Sequence, residues 1–154
     1  MNIKKLTTLS ILAALVCVLT VFTRVPVVGS LVWHAGDSII YVIALTIGGP
    51  FGAIAAGIGS SLADLFMGYA IFAIPTFIIK GLMCYTVFAL CKKNQYMAMI
   101  VGGLVMIVGY FITNIILYGF GVALPGAGFD ALQVAVSIIL GSVLLVIIKK
   151  AKLI

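Results

Sequence analysis

The fold is decided by a stretch that reads FGAIAAGIGSSLADLFMGY over residues 51–69 and, five residues later, PTFIIKGLMCYTVFALC over residues 75–91. Each part is a nearly unbroken apolar run, close to the length of about 20 residues that a helix needs to cross a bilayer. Gly68 lies near the end of the first part and Pro75 opens the second, which favours a turn between them. The stretch therefore predicts a hairpin of two transmembrane helices.

The same apolar character extends over the whole chain. Of its 154 residues, 65% are hydrophobic and only 8% are charged, far from the composition of a soluble domain. Six apolar runs occur, at residues 6–23, 31–48, 51–69, 75–91, 96–118 and 132–148. We therefore expect an all-α, polytopic membrane protein with six transmembrane helices, forming a single domain over residues 1–154. Spans of about 20 residues each leave no room for a soluble module.

Turn-forming residues separate the predicted spans. They are Gly48-Gly49-Pro50, the segment 68–75, Lys92-Lys93-Asn94 and Pro125-Gly126-Ala127-Gly128. Near the start of the second span, Trp33, His34 and Asp37 predict that its first turns lie at the membrane interface.

The basic residues predict the orientation of the chain. With both termini in the cytoplasm, seven of the nine Lys and Arg residues fall on the inner side, as the positive-inside rule requires. The net charge of +6 is thus a topology signal and does not call for a nucleic-acid partner. The seven are Lys4, Lys5, Lys92, Lys93, Lys149, Lys150 and Lys152.

The remaining charged residues gather at the predicted outer side. Asp64 and Lys80 lie eight residues on either side of position 72, so the hairpin brings them to a similar depth, where opposite charges can pair. Ionisable residues inside a membrane usually face a bundle interior or a wet cavity. Two interpretations stay open, a salt bridge that only locks helices and a pair that also borders a polar cavity. The other outer ionisable residues are Arg24, His34, Asp37 and Asp130.

Polar and aromatic residues from several spans point to the same outer end. Ser61 and Asp64 share a face of the third span with two glycines, and Tyr110 and Asn114 stand four residues apart on the fifth span. Gln133 opens the sixth span. Each alone is explained by hydrogen bonding between helices, whereas together with Trp33 and Tyr41 they favour a pocket for a small polar or aromatic molecule.

Catalytic and metal chemistry find little support in the sequence. There is no GxxxxGK[ST] motif for ATP, and the only histidine, His34, lies too far out to form a dyad with Ser60 at mid-membrane. The three cysteines have no metal-ligand spacing. We therefore expect no enzymatic activity, no cofactor and no metal, and any energy from ATP has to come from a partner.

Four motifs resemble a known family. They are AGDSII (residues 35–40), GGPFG (48–52), GIGSSLADL (57–65) and PTFIIKG (75–81), and together they are similar to the substrate-binding S component of energy-coupling factor (ECF) vitamin transporters, of the riboflavin, hydroxymethylpyrimidine or pyridoxine type. The resemblance implies a high-affinity vitamin-binding subunit in a prokaryotic plasma membrane. It also implies docking on a coupling membrane protein that carries two ATPase subunits, with inward delivery of the ligand.

The resemblance also implies where ligand and partner bind. The pocket would face outward, capped by the loops at residues 24–36 and 68–74. Ser10 and Ala14 on the first helix would contact the coupling protein. A general packing face explains the spacing of these two residues equally well. The expected substrate-binding residues are Trp33, Asp37, Tyr41, Asp64, Lys80, Tyr110, Asn114 and Gln133.

Two functions of other classes stay open at this point. A non-transporting membrane scaffold or accessory protein would use the polar cluster only to lock its helices. A self-sufficient oligomeric carrier would transport without ATPase partners. The sequence also leaves open which vitamin is bound.

Overall fold

The computed structural model describes residues 3–28 and 31–151, and in this part of the chain six α-helices form a bundle. In chain order they are α1 (Ile3–Phe22), α2 (Gly36–Thr46), α3 (Gly49–Phe66), α4 (Ala73–Leu90), α5 (Gln95–Tyr118) and α6 (Phe120–Lys150). An antiparallel hairpin of β1 (Val25–Val28) and β2 (Leu31–Trp33) joins α1 to α2, and a single 3-10 turn (Ala70–Phe72) precedes α4. Lys152 lies outside the described residues.

The prediction of an all-α fold with six helices is confirmed, with the short hairpin as an addition. Two of the predicted turns act as expected. Gly48 and Gly49 have φ angles of 52° and 66°, a region that glycine enters without strain, and they end α2 and start α3. Asn94 caps α5, because its side chain accepts hydrogen bonds from the backbone N–H groups of Tyr96 and Met97.

The second helix begins five residues later than predicted. Residues 31–33 pair with β1 as a strand, so α2 starts only at Gly36 and is 11 residues long. The β-branched and aromatic residues of this segment suit an extended chain. The apolar run that predicted one long span is therefore divided between a hairpin strand and a short helix.

The sixth helix begins twelve residues earlier than predicted. Residues 125–128 were expected to form a turn, but α6 runs through Pro125 without a break. The chain reverses instead at Gly119, whose φ of 82° lies in the left-handed region that favours glycine. Pro125 has no N–H to donate to the carbonyl oxygen of Gly121, so α6 lacks one backbone hydrogen bond near its start.

Within residues 3–28 and 31–151, three segments are long and apolar enough to cross a membrane: Ala70–Leu90, Gln95–Tyr118 and Phe120–Lys150. Their outward faces carry large apolar side chains such as Leu104, Ile112 and Ile116, and the last of these is 76% exposed. Such a surface suits contact with lipid. The remaining three spans and the cytoplasmic position of both ends stay predictions.

Glycines bring α1, α3 and α4 close together. A Cβ atom at Gly59 of α3 would collide with the carbonyl oxygen of Ala13 in α1, and one at Gly57 would lie 2.8 Å from the carbonyl oxygen of Phe77 in α4. The backbone of α3 is thus in contact with a neighbour on each side. Small residues at such crossings allow the close approach that favours helix association in membranes.

We expect Gly59→Ala to destabilise the protein by about 1–3 kcal/mol, because the added methyl group meets backbone that cannot move aside. The matched control is Gly128→Ala on α6, where nothing lies within 4 Å of the new Cβ and alanine is the better helix former. Thermal unfolding in detergent should show a lower midpoint for the first variant only. Equal midpoints would contradict the described crossing of α1 and α3.

Candidate functional site

A buried ion pair joins α2 to α4. The Nζ atom of Lys80 donates to Oδ1 of Asp37 at 2.6 Å, and the two side chains are 1% and 0% exposed. The Nε2 atom of Gln133 in α6 donates to Oδ2 of the same carboxylate at 2.7 Å. Both oxygens of Asp37 are therefore satisfied, as a buried carboxylate requires. These three residues are called the ion-pair network below.

The ion-pair network reaches two further elements. The Oε1 atom of Gln133 accepts a hydrogen bond from the backbone N–H of His34 at 3.3 Å, which anchors the end of the hairpin. Lys80 Nζ lies 3.0 Å from the sulfur of Met106 and 5.3 Å from the centroid of the Tyr110 ring, both on α5. Four helices and the hairpin are thus tied together at one point.

The predicted pairing of Lys80 with Asp64 is corrected by the structure, because Lys80 pairs with Asp37. The estimate of depth along the α3–α4 hairpin took no account of α2, which brings a second carboxylate to the same ammonium group. One oxygen of Asp64, Oδ2, is buried and has no hydrogen-bond partner within residues 3–28 and 31–151.

A cavity of about 90 Å³ lies at the end of the bundle that carries the β1–β2 hairpin, called the hairpin end below. Its wall combines aromatic rings with polar and acidic groups, as small-molecule sites do. The wall residues are His34, Asp64, Met67, Tyr69, Phe72, Thr76, Tyr110, Asn114, Asp130 and Gln133.

Two hydroxyl contacts hold the aromatic wall in place. The hydroxyl groups of Thr76 in α4 and Tyr110 in α5 are 3.0 Å apart and share a hydrogen bond. Arg24 donates from Nη2 to the Tyr69 hydroxyl at 3.0 Å, and its guanidinium carbon lies 5.2 Å from the centroid of the same ring. Both rings are thereby oriented before any ligand arrives.

Two other wall residues have polar atoms without a hydrogen-bond partner among the described residues. Asn114 is only 6% exposed, yet its amide makes no hydrogen bond to any residue that the structure describes. The Nδ1 atom of His34 is buried and unpartnered too. Burial lowers the pKa of this imidazole to about 4, so the ring is neutral at pH 7 and both its nitrogens are available for hydrogen bonding.

The eight predicted substrate-binding residues separate into distinct groups. Asp64, Tyr110, Asn114 and Gln133 lie on the cavity wall, although both ends of the Gln133 amide are already hydrogen-bonded. Asp37 and Lys80 are buried behind the wall and pair with each other. They do not line the described cavity, and their predicted contact with ligand stays a prediction.

For the two remaining predicted residues, Tyr41 and Trp33, the structure describes no side chain on the cavity wall. Tyr41 is fully buried in the core, where its hydroxyl donates to the carbonyl oxygen of Met99 at 3.1 Å; it does not line the described cavity, and its contact with ligand stays a prediction. Trp33 lies in β2, and its side chain is outside the described part of the structure.

Several wall residues were absent from the predicted set. Asp130 was counted among the outer charges, but a turn was expected just before it, whereas the continuous helix α6 carries it into the wall. Tyr69 and Phe72 fall in the segment 68–74, which the family resemblance named as a cap without naming residues. Thr76 carried no signal beyond its position in the motif PTFIIKG.

Metal binding has no support in the described residues, since no group of three or more His, Cys, Asp or Glu side chains there is placed to hold an ion. The apolar bundle and the preformed cavity instead define a membrane protein that binds a small molecule. Residues 1–150 match the family described as the S component of ECF-type riboflavin transporters. The chain belongs to this family, and it is thus a vitamin-binding S component of an ECF transporter.

Individual relatives agree with this assignment. The chain is 33% identical to the thiamine precursor transporter HmpT of Lactococcus lactis subsp. cremoris, over 97% of this chain and 90% of that protein. It is 34% identical to an uncharacterized protein of Pyrococcus woesei, over 88% and 95% of the two chains. A solved S component of a bacterial ECF transporter superposes with a TM-score of 0.77 at 25% identity, covering 96% of each chain.

We expect Lys80→Met and Asp37→Asn each to destabilise the protein by about 3 kcal/mol, because each leaves a buried charge without its partner. The double variant should lose clearly less than the sum of the two, since no uncompensated charge is left. Thermal unfolding in detergent measures all three. Lys92→Met, which removes an exposed ammonium group, is the control and should change stability by less than about 0.5 kcal/mol. Additive losses would show that the two residues act independently.

Proposed function

We propose that this S component binds its vitamin in the cavity at the hairpin end. The observation that carries the proposal is the Asn114 amide, which lines the cavity and makes no hydrogen bond to the described part of the chain. An amide that faces a cavity without a protein partner offers both a donor and an acceptor to a polar ligand. The stacking surfaces of Tyr110 and Phe72 lie in the same wall.

The cavity supports a small ring-shaped B vitamin or vitamin precursor as the ligand. A volume of about 90 Å³ is well below the several hundred cubic ångströms of typical sites for drug-sized ligands, so one substituted ring suits it better than a fused three-ring system. The comparisons name ligands of both sizes: riboflavin in the description of the matched family, and a thiamine precursor in the name of the Lactococcus relative.

Energy for transport comes from partners in this proposal. The chain has no nucleotide-binding motif, and the protein itself has no enzymatic activity. It docks on an ECF module made of a coupling membrane protein and two ATPase subunits, which drive the inward release of the vitamin. The ligand enters from outside the cell.

The exposed face of α1 supports a docking surface at Ser10 and Ala14. Both residues are exposed, whereas the neighbouring Ala13 is buried against Gly59 of α3. The Ser10 hydroxyl donates to the carbonyl oxygen of Leu6 at 3.0 Å, so it can be covered by a partner helix without loss of a hydrogen bond. A partner can thus approach this face closely.

The distribution of charge supports a multi-pass protein of the prokaryotic plasma membrane, with the hairpin end outside. Lys92 and Lys93 lie between α4 and α5, and Lys149 and Lys150 end α6, all at the end of the bundle opposite the cavity. This is the cytoplasmic side by the positive-inside rule. The start of α1 lies at the same end.

We expect detergent-purified protein to release one vitamin or vitamin precursor per chain, identified by mass spectrometry. Asn114→Ala should weaken rebinding of that compound by about tenfold, because a hydrogen bond made in a buried site is lost. Thr113→Ala is the matched control, since its hydroxyl is already bonded to the carbonyl oxygen of Gly109 on the same helix. Unchanged binding in Asn114→Ala would remove this residue from the site, and no released compound would favour a scaffold.

We expect Ala14→Trp to abolish vitamin uptake into liposomes that contain the complete ECF module while leaving vitamin binding in detergent within about twofold. A large side chain on the docking face keeps the partner helix away, but it lies far from the cavity. Leu104→Trp on α5, a position that is 53% exposed, is the control and should transport normally. Uptake by liposomes that lack the ATPase subunits would support the self-sufficient carrier instead.

A further inference from the structure

A larger cavity lies at the end of the bundle opposite the hairpin. It is a groove of about 310 Å³ between the start of α5 and the end of α6, called the α5–α6 groove below. This volume falls within the range of about 300–1,000 Å³ that is typical of small-molecule sites. The lining residues are Gln95, Tyr96, Ser142, Val143, Leu145, Val146, Ile147 and Lys149.

The part of the groove that α6 forms is apolar. It extends over the seven residues that separate Ser142 from Lys149, a helical rise of about 10 Å. Ser142 adds no free hydroxyl group, because it donates to the carbonyl oxygen of Ile138 at 2.7 Å. Such a surface offers van der Waals contact to a hydrocarbon chain that lies along the helix. One of its apolar side chains is buried and the other three are more than half exposed, in this order: Leu145, Val143, Val146 and Ile147.

The polar residues of the groove lie where α5 begins and α6 ends. Gln95 and Tyr96 open α5, and Lys149 lies in the last turn of α6. Their amide, phenol and ammonium groups can all donate hydrogen bonds, and tyrosine is typical of the membrane–water interface. The α5–α6 groove therefore combines hydrogen-bond donors at its interface end with an apolar surface toward the bundle interior.

Positive charge surrounds the interface end of the groove. Lys93 lies two residues before Gln95, and Lys150 follows Lys149. The chain has three acidic residues, and all of them lie at the hairpin end, either in the ion-pair network or on the cavity wall there. Within residues 3–28 and 31–151, the ammonium groups beside the groove thus have no carboxylate side chain to pair with. Their counter-charge has to come from outside the chain.

We infer that the α5–α6 groove binds one anionic phospholipid. The lipid phosphate accepts from Nζ of Lys149, with the Gln95 amide and the Tyr96 hydroxyl as further donors, and hydrogen bonds between charged groups are the strong ones. One acyl chain lies along the apolar part of α6. Basic pockets between transmembrane helices bind anionic headgroups by the same combination of contacts.

Other occupants match the groove less well. A free phosphate ion would leave its apolar part uncovered, and a zwitterionic lipid would bring a second positive group next to the lysines. In the orientation proposed above, the groove faces the cytoplasmic leaflet, whose surface is negative because of its anionic lipids. The site is separate from the vitamin cavity, which lies at the hairpin end.

The test titrates delipidated, full-length protein in detergent with dioleoyl phosphatidylglycerol or dioleoyl phosphatidylcholine, and native mass spectrometry counts the bound lipid. The two probes share their acyl chains and differ in headgroup charge. Wild-type protein should bind one phosphatidylglycerol per chain, at least about tenfold more tightly than phosphatidylcholine. Lys149→Met should lower this preference about fivefold, because one cationic contact is lost. Lys150→Met removes the same charge from the neighbouring position outside the groove and should lower the preference less than about twofold.

A second variant tests the apolar part of the groove. Val146→Trp places an indole where the acyl chain lies and should weaken binding of both lipids at least about fivefold, because the two compete for the same space. Leu82→Trp is the matched control. It changes a side chain on α4 with a similar exposure, 52% against 53% for Val146, and should leave both affinities within about twofold.

Three outcomes overturn the inference. Equal loss of preference in Lys149→Met and Lys150→Met would show that a general basic surface attracts the lipid. Displacement of the lipid by inorganic phosphate would show that the groove holds a free anion. If Val146→Trp leaves lipid binding unchanged but blocks vitamin uptake by liposomes that contain the ECF module, the groove is a docking site for a protein helix. Unfolding midpoints of all variants show that each is folded, and vitamin binding at the hairpin end is independent of all three outcomes.

Discussion

The structure depends on one constraint, the need to neutralise Lys80 inside an apolar bundle. An ammonium group that is 1% exposed carries a large desolvation cost unless an opposite charge lies within hydrogen-bond distance. Asp37 meets this need from α2, and Gln133 of α6 satisfies the second oxygen of the carboxylate. Because α2, α4 and α6 each contribute a residue, the depth and rotation of these three helices are set together. The hydrogen bond from the His34 backbone N–H to Gln133 places the hairpin over the same point.

Most polar residues of the hairpin end belong either to the ion-pair network or to the cavity wall, and Gln133 belongs to both. In the ion-pair network, the charges of Lys80 and Asp37 are matched, and the polar groups of Asp37 and Gln133 have partners. On the wall, one oxygen of Asp64 is buried without a partner, and the side chains of Asn114 and Asp130 make no hydrogen bond within residues 3–28 and 31–151. The unpartnered buried oxygen of Asp64 costs stability. A binding protein recovers that cost when its ligand arrives.

Much of the fold followed from local pattern. Apolar run length and turn residues located α1, α3, α4 and α5 to within a few residues, because a membrane helix needs a long apolar segment whatever its neighbours are. The exceptions were β2, where residues 31–33 pair with another strand, and α6, whose start depends on the reversal at Gly119. In the site, the spacing of four between Tyr110 and Asn114 was enough to put both on one face. The partner of Lys80 could not be found that way.

The sequence by itself determined that this is an α-helical membrane protein, which end of the bundle carries its few unmatched charges, and to which family it is similar. These properties depend on composition, run length and short motifs, which are local. Only the tertiary structure decided that Lys80 pairs with Asp37, that Tyr41 belongs to the core and that Asp130 reaches the cavity. Helical periodicity tells which residues share a face, but the neighbour that each face meets depends on how all the helices are rotated and crossed in the bundle.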